Sequence, residues 1–151
     1  HTVHIIRKSN VPVLAIPPEY KYVQPDKILF PTDYEITYEL PSLKVLLNIA
    51  EDHGSSIDVL HVSYGYDLSE EQQKNKGKLD GILKDLPHLF HMYPNQEVIQ
   101  AITNFQKKNE THLLVMVQNK HTFIERLFIE PIIKKIGYHI TTPFLVIPDV
   151  S

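Results

Sequence analysis

The chain has 151 residues, no cysteine, 42% hydrophobic and 22% charged content, and a formal charge of −3. That is the composition of one globular domain with a single core, and the missing thiols exclude a disulfide framework and thiolate chemistry. Near-equal acids and bases offer no basic surface for nucleic acid, no apolar run reaches the roughly 18 residues of a membrane helix, and the opening HTVHIIRK has neither the apolar block nor the cleavage site of a signal peptide; the expected location is the cytoplasm.

In chain order, Val13 to Ile16 is a short apolar stretch bracketed by Pro12 and Pro17, and Ile28 to Pro31 is the next. Leu40, Leu43, Leu47 and Ala50 then form one stripe at helical spacing, with Gly54 where a helix C-terminus favours glycine. Thr37 as N-cap would put Pro41 in the first turn, where its missing N–H costs little. Ile57 to Val62 is the next strand. Ser69 with Gln72 three residues on is a capping-box pattern ahead of Leu79, Ile82, Leu83 and Leu86, although Gly77 weakens the middle of that helix by up to about 1 kcal/mol.

Leu89 to Tyr93 is a weaker strand pattern, followed by a helix capped by Asn95 and carrying Val98, Ile102 and Phe105 on one face. Leu113 to Val117 is again a strand. Pro131 suits the first turn of a helix beginning near Glu130, and Phe144 to Ile147 is the final strand. The strands from Ile28 onward are near-continuous apolar runs rather than alternating ones, the pattern of parallel strands covered on both faces. Strand and helix alternate from residue 26 to 148, which predicts an α/β fold: a doubly wound, mainly parallel five-stranded sheet with helices on both faces and any ligand at the C-terminal ends of the strands.

The two ends of the chain echo each other. Val11-Pro12-Val13-Leu14-Ala15-Ile16-Pro17 aligns with Thr142-Pro143-Phe144-Leu145-Val146-Ile147-Pro148, matching both prolines, Leu14 with Leu145 and Ile16 with Ile147. Residues 1–17 therefore read as the tail of a preceding related domain, 18–25 as a linker stiffened by Pro17-Pro18, and 26–151 as the domain proper. Because an edge strand is an unsatisfied template, the two copies are expected to pair antiparallel.

Lys27-Ile28-Leu29-Phe30-Pro31-Thr32-Asp33, Leu60-His61-Val62, His112 to Met116 and Pro143 to Pro148 resemble, in order, strands and strand ends of the universal stress protein family. The resemblance implies a Rossmann-like nucleotide-binding fold, pairing of domains through the last strand, and an adenosine contact at the position of Asp33, with the backbone at Val62 meeting the base. Nucleotide-binding members carry a G-x2-G-x9-G-[ST] loop after the fourth strand. Its glycines let backbone N–H groups approach phosphate at a helix N-terminus.

Laid on this chain, the loop places Val117 and Lys120 at the first two glycines, Glu130 at the third and Pro131 at the hydroxyl position. Glu130 brings negative charge to the phosphate, and Pro131 removes a hydroxyl and a donor. The expectation is a non-catalytic stress-response domain with a degenerate phosphate loop. It would need no cofactor and would act as a homodimer, through intramolecular tandem pairing of last strands, or with a protein partner. The alternative is ATP or AMP bound near Asp33 and Val62, with Lys120 as a point charge on phosphate.

Asp33 equally suits an Asx turn. The nine histidines show no metal-ligand spacing: His88 and His91 fall on opposite faces of a strand, and His61 reads as a hydrogen-bonded core residue. His121 and His139 flank the altered loop without a base or nucleophile beside them. No glycine-framed serine presents a nucleophile, and no positioned base accompanies a phosphate grip, so no enzymatic activity is expected.

Overall fold

A computed structural model describes residues 10–17, 20–63, 66–94, 98–118 and 142–148, with 99 described by its backbone only. Six strands form one sheet: β1 (Val13–Ala15), β2 (Lys27–Pro31), β3 (Ser56–Ser63), β4 (His88–Pro94), β5 (Leu113–Gln118) and β6 (Phe144–Pro148). Three helices are described, α1 (Leu40–His53), α2 (Glu70–Ile82) and α3 (Val98–Lys108). The strand order is β1-β6-β5-β2-β3-β4. Every pairing is parallel except that of β1 with β6.

The five strands expected from the alternating pattern are thus present, and β1 adds a sixth at the β6 edge. Its pairing is antiparallel, with Val13 opposite Val146, Leu14 opposite Leu145 and Ala15 opposite Phe144.

Consecutive strand residues are buried because both faces of the sheet are covered. Ile28 and Phe30 face the α1 and α2 layer with Leu43, Leu46 and Leu79, whereas Leu29, Leu60 and Met116 face α3 with Ala101 and Phe105. Leu43 and Leu46 are wholly buried, each contributing on the order of 1.5–3 kcal/mol by leaving water.

Helix α1 starts differently from the sequence-based expectation. Glu39 occupies the N-cap position with no side-chain cap, and Pro41 lies in the first turn. The Thr37 hydroxyl donates instead to Asn75 Oδ1 at 3.1 Å. At the other end Gly54 is left-handed, φ 63°, and returns its N–H to the Ala50 carbonyl, a conformation that costs other residues strain.

Helix α2 has the complete capping box. Gln72 N–H donates to Ser69 Oγ at 3.1 Å, and Ser69 N–H donates to Gln72 Oε1 at 2.9 Å. Asn95, Glu130 and Pro131 lie outside the described residues, so the expected cap of α3 and the helix start near Glu130 do too. Among the described residues no helix is long and apolar enough to cross a membrane.

Candidate ligand corner at the C-terminal ends of the strands

β2 and β5 lie side by side, but the chain leaves them in opposite directions, from β2 towards β3 and β4 and from β5 towards β6. This is the switch point at which doubly wound sheets open a crevice outside their carboxyl ends. Asp33 follows β2, Val62 lies near the end of β3, and Val117 lies near the end of β5. Three of the residues singled out from sequence are therefore carried by adjacent strands at one end of the sheet. Lys120, Glu130 and Pro131, like His121 and His139, lie outside the described residues.

Asp33 makes the Asx turn that its residue type allows. Its Oδ1 accepts the Glu35 N–H at 2.9 Å, and the residue is 7% exposed. The Val62 side chain packs into the α3 face of the core. Val117 is still within the strand, its side chain buried in the α1 and α2 face and its backbone in register with Ile147.

The residue after Asp33 dominates the corner. Tyr34 has φ 59°, the left-handed region that bulky residues rarely enter, and its side chain is nevertheless buried, with 1% exposed. The ring lies against His61, centroids 4.9 Å apart and planes inclined by 32°. Its hydroxyl is pushed far above the usual phenol range by burial. The backbone conformation costs on the order of 1–3 kcal/mol, and burial of the ring together with the hydrogen bonds around it offsets that cost.

Those hydrogen bonds come largely from α2. Asn75 Nδ2 donates to the Tyr34 carbonyl at 2.8 Å, and Gln72 Nε2 donates to the Asp33 carbonyl and to Glu35 Oε1, both at 3.0 Å. Lys78 pairs with Glu39 at 2.9 Å, an exposed contact worth little. Tyr34 N–H donates to Thr32 Oγ1 at 3.1 Å, and the same oxygen is hydrogen-bonded to the Tyr38 hydroxyl. The β2–α1 loop is thus fastened to α2 across the ends of the strands.

His61 is the core histidine anticipated from its place in an apolar strand. Its Nδ1 donates to the Thr32 carbonyl at 3.1 Å. Burial holds its pKa below the ordinary value of 6.5, against the opposing hydrogen bond to Thr32 and the charge of Asp33, while Lys76 adds to the lowering. His88 packs edge-on to Phe90 and His91 on Phe105, which confirms that they occupy opposite faces of β4. Among the described residues no group of three or more potential metal ligands occurs.

Tyr34 and Asn75 went unnoticed in the sequence. A signal for Asn75 exists: it sits four and eight residues before Leu79 and Leu83, a polar residue on the buried stripe of an otherwise polar helix, and it is 2% exposed. No comparable sequence signal marks a left-handed tyrosine.

Comparison with solved structures finds universal stress proteins. One from Archaeoglobus fulgidus DSM 4304 superposes with a TM-score of 0.65 at 12% identity, over 97% of this chain and 53% of that one. A second from Archaeoglobus fulgidus gives 0.56 at 16% identity, over 80% and 92%, and a universal stress protein family member from Burkholderia pseudomallei gives 0.54 at 13%, over 85% and 100%. The chain spans about half the length of the first of these. No family model matches the sequence, and no curated protein matches it. At these identities the likeness is one of fold, and the Rossmann-like α/β architecture anticipated from sequence is the architecture observed.

Proposed function

We propose that this chain is a universal stress protein domain that acts without catalysis, by association with a second domain of its own kind through the β1–β6 margin of the sheet. The observation that carries the reading is the register of that pair. In the sequence echo Val13, Leu14 and Ala15 correspond to Phe144, Leu145 and Val146. In the sheet Val13 meets Val146, Leu14 meets Leu145 and Ala15 meets Phe144. Val13 therefore faces the counterpart of Ala15, Ala15 faces the counterpart of Val13, and Leu14 faces its own counterpart, the reciprocity of a two-fold interface between like surfaces. β1 on this reading is the last strand of a tandem partner domain, and residues 18–25 are the linker.

The corner at Asp33 supports the non-nucleotide reading. One carboxylate oxygen is committed to an Asx turn, and the Tyr34 ring fills the adjoining space against His61. The substitutions Glu130 and Pro131 at the phosphate positions argue in the same direction. A cytoplasmic stress-response role goes with this reading.

The test has two arms. Titration calorimetry with ATP and with AMP is expected to give no heat of binding at micromolar strength. The Val13→Asp variant, which sets a charge in the β1–β6 pair, is expected to free the β6 edge and produce dimers by light scattering. A strictly monomeric variant with unaltered amide exchange at Leu145 and Val146 defeats the association reading.

The second reading, an adenine nucleotide held near Asp33, rests on the placement of Asp33 and Val62 at adjacent strand ends beside the switch point. Micromolar ATP or AMP binding that is lost in Asp33→Ala would establish it in place of the first.

A further inference from the structure

A cavity of about 850 Å3 opens between α2 and the C-terminal halves of β3 and β4. It lies away from the switch point, and neither Asp33, Val62 nor Val117 lines it. Its volume is in the range of small-molecule sites. Phe90, Met92, Leu68 and Tyr66 supply apolar and aromatic wall, and Lys76 and Gly77 supply the α2 side. Met92 is 54% and Tyr66 82% exposed, so much of this wall is uncovered.

The chemistry of the wall is specific. Lys76 Nζ stands 5.0 Å from the centroid of the Phe90 ring. Among the described residues no carboxylate lies within ion-pair distance of it. Its positive charge is held at the edge of low-dielectric surface, where an incoming anion is attracted more strongly than in open water.

The two carboxylates of the lining act differently. Asp80 Oδ1 is taken by His88 Nε2 at 2.6 Å, while His88 Nδ1 lies 2.7 Å from the Leu86 carbonyl; with an acceptor at each ring nitrogen the protonated imidazole is favoured, and it offsets the charge of Asp80. Asp67 is exposed and lines the cavity with no such ion pair among the described residues, and it disfavours ligands of high negative charge.

Gly77 is in mid-helix and leaves the cavity wide. A Cβ there would meet nothing within 4 Å, so neither packing nor backbone geometry calls for glycine, which costs the helix up to about 1 kcal/mol relative to alanine.

We infer that this cavity is a binding site for a small aromatic monoanion, its carboxylate on Lys76 and its ring against Phe90 and Met92. A single carboxylate is matched by the single uncompensated cation, and an aromatic body by the exposed apolar wall. A triphosphate is mismatched on charge. The site is independent of the corner at Asp33, so its failure leaves the association reading where it stands.

Indole-3-acetate is the probe, added to the intact 15N-labelled chain and followed by amide shifts. Saturable shifts are expected for residues 66–68, 73–80 and 90–92. Lys76→Gln is expected to weaken binding about tenfold, the order of one charge-assisted contact, and neutral indole is expected to lose a similar factor. Gly77→Leu, whose fold is verified by its own spectrum, should block the cavity, and Lys78→Gln should change nothing. The inference is overturned by the absence of saturable shifts, by shifts centred instead on a second groove, which Leu14, Tyr22 and Ile49 help to line, by undiminished affinity in Lys76→Gln, or by competition from ATP.

Discussion

At Asn75 one side chain decides how the β2–α1 loop lies. It gives its amide N–H to the Tyr34 carbonyl and accepts the Thr37 hydroxyl from a position inside the core. Asn75→Ala leaves a buried carbonyl without its donor, and the expected loss of stability is about 1–3 kcal/mol, read from the urea midpoint. Because Tyr34 is held in an unfavourable conformation only by its surroundings, the same variant should quicken amide exchange at Tyr34 and Glu35 more than at α1.

Two histidines should pull in opposite directions with pH. The pKa of His61 is depressed in the folded chain, burial being the first cause; its contribution is present above the unfolded value of about 6.5 and is lost as pH falls through the depressed one. For His88, burial works downward, but the hydrogen bond and charge of Asp80 and the Leu86 carbonyl together raise the pKa. Its contribution is complete below about 6.5 and disappears as pH rises through the raised value. Comparing Tm at about pH 5.5 and about pH 8, His88→Gln should lose stability mainly at the acid value. His61→Leu should narrow the wild-type loss there. Equal shifts at both values in either variant would contradict its assignment.

Among the elements, α2 has the most to lose from its first turn. Ser69→Ala removes the acceptor for Gln72 N–H, at an expected cost of about 1 kcal/mol, measured by denaturant unfolding. Gln72 also reaches the Asp33 carbonyl through its amide nitrogen, so the loss should spread to the β2–α1 loop rather than stay at the helix end.

The capping box was legible because both partners are local and three residues apart. The strands were legible too, since a sheet covered on both faces demands runs such as Ile28-Leu29-Phe30, and only their ends moved, none by more than one residue. The start of α1 was not: Thr37 has the right chemistry for a cap, but Asn75, distant in sequence, claims its hydroxyl. The same limit applies to the corner, where Asp33 could be picked out by type whereas the inward turn of Tyr34 depends on His61 and α2. Long-range partners decide both cases, and local pattern carries no record of them.

On the scale of the whole molecule, the sheet has two margins of unlike character. At one, β4 is an edge strand with Leu89 64% and Met92 54% exposed. At the other, Leu14 is 51% and Ile16 62% exposed, although their sequence counterparts Leu145 and Ile147 are 3% and 1% exposed. If a second domain of the same kind sits beside β1, its helical layer should cover Leu14 as α1 and α2 cover Leu145. Leu14→Ser should then cost little in the isolated chain and markedly weaken assembly with that domain, a contrast measurable by unfolding and by sedimentation.

The β1–β6 pair joins segments about 130 residues apart in the chain, so it raises the contact order at the slow end of sheet assembly. During synthesis β1 emerges before β6, so this pairing can form only once β6 has left the ribosome. Until then the edge of β1 that receives β6 is open to the β6 of a neighbouring copy, and translation speed through the β5–β6 region would then influence how much of the protein pairs with itself and how much with others.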